Sequence, residues 1–318
     1  FSFPENVDEV LRMLHLISGG EKKWRERPFV SMSCCFVIPP LKFAEDASAC
    51  LEAGVKGGIP ILLLSAGQAG ATSPATLARC VVQSVAEVLA GLVYVNAIQE
   101  GAPAIFGTWP FVSDLRTGAM SGGSGEQAIL MAACGQMAQF YNLPSGIAAG
   151  MTDSKIPDAQ SGYEKGYTVS LAGHSGANLI YESAGMHASL LGCCLESYVI
   201  DNDMLGAINR SIRGIEINTE TLGIDPIRDV CLTGPGHYLG HEQTLKRMQS
   251  DYLYPIVGDR ENINNWIEQG STDSIQRAHQ KLQGILKTHY PHNWDEDTDR
   301  KIREQFPVRL SKNRMQLL

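Results

Sequence analysis

The feature that most constrains this chain is a succession of short, uninterruptedly apolar or small-residue runs, each followed by a stretch of helical periodicity. Phe29–Val37, Pro60–Leu64, Ala104–Gly107, Ser145–Gly150 and Asn178–Glu182 read as strands. Helical patterns over Ala44–Ala53, Ala75–Gln99 and Ser124–Tyr141, and a helix opening at Asp158, separate them. Strands that do not alternate polar with apolar residues are buried on both faces, which means a parallel sheet covered by helices. Five strands are clear and a sixth is expected near Val230. A closed eight-stranded barrel needs more. The expectation is therefore an α/β fold, a (β/α)8 TIM-type barrel whose first strands lie upstream, since the chain starts at Phe1 rather than Met. Residues 1–318 then form a single barrel domain, with helices over 272–318 packed on its outside.

Composition narrows the partners. A net charge of −8 and a pI near 5.5 argue against a nucleic-acid surface. The longest unbroken apolar run, Gly58–Ser65, has the length of a strand, not the ~20 residues of a membrane span. No signal peptide pattern opens the chain. Eight cysteines without C-x-x-C spacing read as reduced, buried thiols of a cytoplasmic protein, with no metal site implied.

Parallel α/β folds place ligands beyond the carboxyl ends of their strands. The loop Met151–Asp158 follows the fourth strand, and Asp158 can cap the next helix or act in a site, with Gln160, Tyr163 and Glu164 beside it. Glu164 can equally be a solvated side chain. His174, among Gly173, Ser175 and Gly176, is either a hydrogen-bonded core residue or a catalytic one. Trp109-Pro110-Phe111 stands just past a strand end, as a lid over the core or as a wall for a cation attracted to aromatic faces. Tyr181 and Glu182 end the fifth strand. Gly67–Pro74 looks like an anion cradle, but it lacks P-loop spacing and reads better as a turn capped by Ser73, with Pro74 at the first helical position. Asp201-Asn202-Asp203 lacks the rest of an EF-hand loop and reads as a helix-cap cluster. His237 and His241 are four apart without the glutamate of H-E-x-x-H, so His241 reads as a helix start.

Longer stretches are more specific. GATSPATLARCVVQSVAEVLAG (Gly70–Gly91), GAPAIFGTWPFVSDLRTGAMSGGSGEQ (Gly101–Gln127), MTDSKIPDAQSGYEKGYT (Met151–Thr168), AGHSGANLIYESAGM (Ala172–Met186), SYVIDNDMLG (Ser197–Gly206) and GPGHYLGHEQTLKRM (Gly234–Met248) together resemble the trimethylamine methyltransferase family of corrinoid-dependent enzymes. The resemblance implies a barrel that docks a partner corrinoid (cobalamin) protein over its mouth and moves a methyl group from an amine to Co(I). A homo-oligomer is expected. Trimethylamine members carry pyrrolysine, expected near Lys155-Ile156-Pro157, where this sequence has only standard residues. A quaternary ammonium such as glycine betaine leaves as a neutral amine without acid catalysis and suits a site lacking that residue. On this reading Asp158, Gln160, Glu164 and His174 form the catalytic set, and Trp109, Phe111, Tyr181, Glu182 and His237 hold the substrate. Two other classes stay open: a metal- or Schiff-base-dependent barrel lyase or aldolase using Lys155, and a non-catalytic betaine-binding module.

Overall fold

A computed structural model describes residues 3–289 and 293–311. In chain order it contains α1 (Pro4–Ser18), α2 (Glu21–Glu26), β1 (Met32–Cys34), β2 (Val37–Ile38), β3 (Lys42–Phe43), α3 (Glu45–Lys56), β4 (Ile61–Ser65) and β5 (Gln68–Ala69). Next come α4 (Leu77–Ile98), β6 (Ala104–Thr108), β7 (Phe111–Ser113), β8 (Met120–Ser121), α5 (Gly125–Tyr141), β9 (Gly146–Ala148), α6 (Ala159–His174), β10 (Leu179–Tyr181), β11 (Met186–His187), β12 (Gly192–Cys193) and α7 (Leu195–Ile212). The remainder is helical: α8 (Asp225–Arg228) running into a π-helical turn (Asp229–Thr233), α9 (Glu242–Ser250), α10 (Ile263–Glu268), α11 (Ser274–Thr288) and α12 (Glu296–Gln305).

The five expected strands form, and they lie side by side in chain order. β1, β4 and β6 pair in parallel, with Met32 opposite Ile61 and Ile61 opposite Ala104. β9 and β10 pair in parallel with Gly146 opposite Leu179. The Phe106 N–H donates to the Pro144 carbonyl at 2.7 Å, and a parallel bridge from Phe106 to Ser145 joins the two groups. Among the described residues no closed barrel forms, because β1 and β10 each pair on one side only. The sixth strand expected near Val230 is a correction. Pro226 sits at the start of α8, where its fixed φ favours a helix, and the chain continues helically through a buried Val230.

β4 shows why the sheet is covered on both faces. All five of its residues are buried. Ile61 and Leu63 join a core with Trp24, Phe36 and Leu51, whereas Leu62 and Leu64 join another with Trp109, Met131 and Ile147. Burial on both faces excludes the alternation of a half-exposed strand. Close strand approach needs Gly107, since a Cβ there would stand 2.4 Å from the Leu63 carbonyl oxygen.

The helices follow local rules with one departure. Ser124 caps α5 by accepting from the Gln127 N–H, and Asn142 ends it in the left-handed region at φ 55. His241 starts α9, its Nδ1 accepting from the Gln243 N–H. α4, however, begins at Leu77 after Thr76, not at Pro74, and the Ser73 carbonyl instead accepts from the Gly70 N–H at 2.9 Å. α4 is also the one helix among the described residues long and apolar enough to cross a membrane, although charged residues interrupt its apolar runs. Here it packs against β4, β6, α3 and α5. At the other end of the chain α11 packs on α7 and α12 on α1, with the Arg12 guanidinium 5.7 Å from the Phe306 ring centroid.

Candidate active-site cleft

β4, β6 and β10 each hand the chain to short strands beyond their carboxyl ends, and β9 hands it to the loop before α6. β5, β7 and β8 form a three-stranded sheet, with Gln68 opposite Phe111 and Val112 opposite Ser121. Past β10, β11 and β12 form an antiparallel hairpin with Met186 opposite Cys193. Beside these strands lies an open cleft of about 530 Å³, lined in part by Asp114, Arg116, Ser121, Glu126, Asp153 and Glu164.

Two carboxylates form its polar floor, and each is held by donors from several elements. Asp153, three residues after Gly150, accepts from the Ser121 hydroxyl at 2.5 Å, the Gly122 N–H at 2.8 Å and the Ser189 hydroxyl. Glu164, in α6, accepts from the Thr152 hydroxyl at 2.5 Å, the Asp153 N–H at 2.8 Å and the Gln160 amide at 2.8 Å. Glycine at 123 makes room for it, because a Cβ there would lie 2.3 Å from Glu164 Oε2. One turn on, the Tyr167 hydroxyl donates to the Gly123 carbonyl. Burial, with Glu164 next in effect, pushes the Tyr167 phenol up to about 12, so it stays a neutral donor. At the rim the Arg116 guanidinium pairs with Asp114 at 2.6 Å and holds that carboxyl well below the usual carboxylate range.

Behind the floor lies a buried support. Lys165 and Asp201 pair at 2.6 Å with side chains 1% and 6% exposed, tying α6 to α7. Asp201 also accepts from the Gly185 N–H at 2.7 Å. His187 joins the hairpin to the Asp153 loop. The Ser154 carbonyl, 3.3 Å away, can only accept, so Nδ1 carries the proton and Nε2 accepts from the Ser197 hydroxyl at 2.7 Å. Burial, reinforced by the Lys165 charge, lowers the His187 pKa and keeps the ring neutral.

Of the residues singled out from sequence, Glu164 lines the cleft and Gln160 bonds to it. Asp158 is exposed and caps α6 in a capping box with Ser161. Trp109, Phe111 and Tyr181 do come together, with Trp109 centroids 6.5 Å from Phe111 and 5.5 Å from Tyr181. They are packed as core rather than as a cleft wall: Trp109 and Phe111 are buried, and the Trp109 Nε1–H donates to the Gly146 carbonyl at 2.7 Å. His174 is exposed in the last turn of α6, at the end away from Glu164, with Ser211 3.1 Å from its Nε2. Glu182 takes a left-handed turn at φ 62 after β10, and His237 is exposed in the loop before α9. Lys155 is exposed, its Nζ donating to the Asp153 carbonyl at 2.6 Å. The cap-cluster reading of Asp201 and Asp203 is corrected, since both lie inside α7. Asp203 accepts there from the Ile256, Val257 and Gly258 N–H groups at 2.7–2.9 Å. None of the eight cysteines is in a disulfide, and Cys34, Cys50, Cys80 and Cys134 are buried whereas Cys35, Cys193 and Cys231 are exposed. Asp153, Ser121, Tyr167 and Ser189 escaped the sequence reading. The position of Asp153, just past a strand end, was the available signal.

A parallel α/β sheet with a polar cleft beyond its strand ends defines the class of strand-end-site α/β proteins. The profile of the trimethylamine methyltransferase family matches residues 2–313, and the chain belongs to that family. It is 36% identical over 286 residues to a trimethylamine methyltransferase of Desulfitobacterium hafniense, covering 90% of this chain and 57% of that protein. A trimethylamine methyltransferase of Methanosarcina barkeri is 36% identical over 287 residues, covering 90% of this chain and 57% of its own length. A glycine betaine methyltransferase of Desulfitobacterium hafniense is 31% identical over 299 residues, or 94% of this chain and 61% of that protein. The chain thus spans somewhat over half the length of the relatives it matches.

Proposed function

We propose that the chain is part of a methyltransferase that takes a methyl group from a methylated ammonium compound and delivers it to the Co(I) corrinoid of a partner protein. The observation that carries this reading is the cleft floor: the Asp153 and Glu164 carboxylates, each held by three donors, face one cavity at the strand ends. With Glu126 and Asp114 at its rim, the cleft offers four carboxylates against the single guanidinium of Arg116, itself paired with Asp114. Such a field concentrates cations. At about 530 Å³ it admits a small methylated amine with room to spare.

The chemistry asked of the protein is modest. A methylammonium carbon loses its bond to nitrogen, the bonding pair stays on nitrogen, and a neutral amine departs. The chain's residues have to hold the cation, aim one methyl outward and limit water. The parallel strands fit an arc of a (β/α)8 barrel, whose mouth would receive the corrinoid partner. Cysteines outside any disulfide fit a cytoplasmic enzyme, and the proposed methyl transfer would place it in one-carbon metabolism.

The test mixes the full-length protein with a reduced corrinoid protein and a panel of methylamines and betaines. Methylation of the corrinoid, seen in its absorbance, is expected with at least one of them and should fall at least tenfold in Glu164→Gln. No methylation with any of them rejects the proposal. Lys155 trapped by borohydride with a carbonyl substrate would favour a Schiff-base lyase.

A further inference from the structure

The turn of the strand-end hairpin between β11 and β12 carries an unusual backbone. Ala188, Ser189 and Leu190 have φ of 48, 51 and 81, three consecutive non-glycine residues in the left-handed region. Side-chain-bearing residues disfavour that region, and such outliers persist only where the surroundings over-determine them. Nothing about closing a four-residue hairpin loop demands three of them, since glycine or asparagine supplies positive φ at less cost.

The surroundings show what holds the turn. The Ala188 N–H donates to the Ser154 carbonyl and the Ser189 N–H to the Thr152 carbonyl, both at 2.9 Å. The strained turn therefore clasps the backbone on both sides of Asp153. Ser189 is buried and its hydroxyl donates to Asp153 Oδ1, the oxygen that also accepts from the Gly122 N–H. Gly122 in turn lies close to Ser189, with the position of a Cβ there 3.5 Å from Ser189 Cα. The His187 ring fixes the foot of the same turn through Ser154 and Ser197.

We infer that Ser189 is a positioning residue: the left-handed turn 188–190 exists to present its hydroxyl to Asp153 and so to fix the carboxylate that faces the ammonium substrate. The inference rests on the proposed methylammonium site. It separates two quantities that ordinarily move together, because relaxing this turn should raise stability while loosening the site.

The experiment compares the full-length wild type with Ser189→Gly, Ser189→Ala and Ser189→Asn, reading thermal stability, the dissociation constant for tetramethylammonium by calorimetry, and KM and kcat for methyl transfer. Glycine accepts positive φ freely but removes the donor. It is expected to match or exceed the wild-type melting temperature yet bind tetramethylammonium about tenfold more weakly, through KM for the ammonium and not for the corrinoid protein. Ser189→Ala is expected to lose the same affinity without the gain in stability. Asparagine tolerates the left-handed region and carries an amide donor, so Ser189→Asn should recover most of the affinity. Wild-type affinity in Ser189→Gly overturns the inference, as does a loss in Ser189→Asn equal to that in Ser189→Gly. A wild type that binds neither tetramethylammonium nor any methylamine or betaine overturns the functional reading itself.

Discussion

At the scale of single residues, the cleft is a set of acceptors whose donors come from distant parts of the chain. Asp153 draws on Ser121, Gly122 and Ser189, 31 to 36 residues away, and so reports on how β8, the α6 loop and the hairpin are arranged. His187 has a proton-linked role of a definite sign. Its pKa is lowered in the folded protein from an ordinary 6.5, so above that pH the ring is neutral folded or unfolded and its contribution is fully present. As pH falls below about 6.5 the unfolded chain binds a proton that the folded chain refuses, and stability is lost until the folded pKa is passed. His187→Asn keeps a donor for the Ser154 carbonyl but cannot titrate. Its deficit against the wild type, measured by denaturant unfolding, should therefore shrink from about pH 7 to about pH 5. A constant deficit would mean that His187 does not titrate on folding.

At the scale of elements, the α6–α7 contact encloses one buried ion pair. Removing only one partner leaves an uncompensated charge, at a typical cost of about 3–5 kcal/mol. Lys165→Met is expected to destabilise by about that much, whereas Lys165→Met with Asp201→Leu should recover most of it, less the bond that Asp201 gives the Gly185 N–H. Urea midpoints of the two variants decide the matter. Equal losses would show that the charge is already satisfied by other groups. The five parallel strands were legible because unbroken apolar runs such as Ile61–Ser65 have no other comfortable place. The short strands were not, because two-residue elements such as Gln68–Ala69 and Met120–Ser121 have no periodicity to read. Glu164 was found one turn inside a helix whose start was visible, while Ser189 sits in a turn that no composition signal marks. Trp109 was ambiguous for a physical reason: an aromatic past a strand end can face inward or outward, and here its N–H finds a backbone carbonyl in the core.

At the scale of the whole molecule, charge is distributed to match the proposed substrate. A net charge of −8 and a cleft with Asp114, Glu126, Asp153 and Glu164 should draw in cations and repel carboxylates. Tetramethylammonium is therefore expected to bind about tenfold or more tightly than glycine betaine at low salt, by calorimetry, with the gap narrowing at 1 M salt as screening shortens to about 3 Å. Betaine binding equal to that of the simple cation would place a hidden positive group near the cleft. One architectural fact reaches further. Because β1 and β10 are each paired along a single flank, the described sheet ends in two strand borders that no other described strand covers. Expressed by itself, this length of chain should behave as an adhesive ribbon, growing into larger species as its concentration rises, and anything that zips onto those borders would act as its solubiliser.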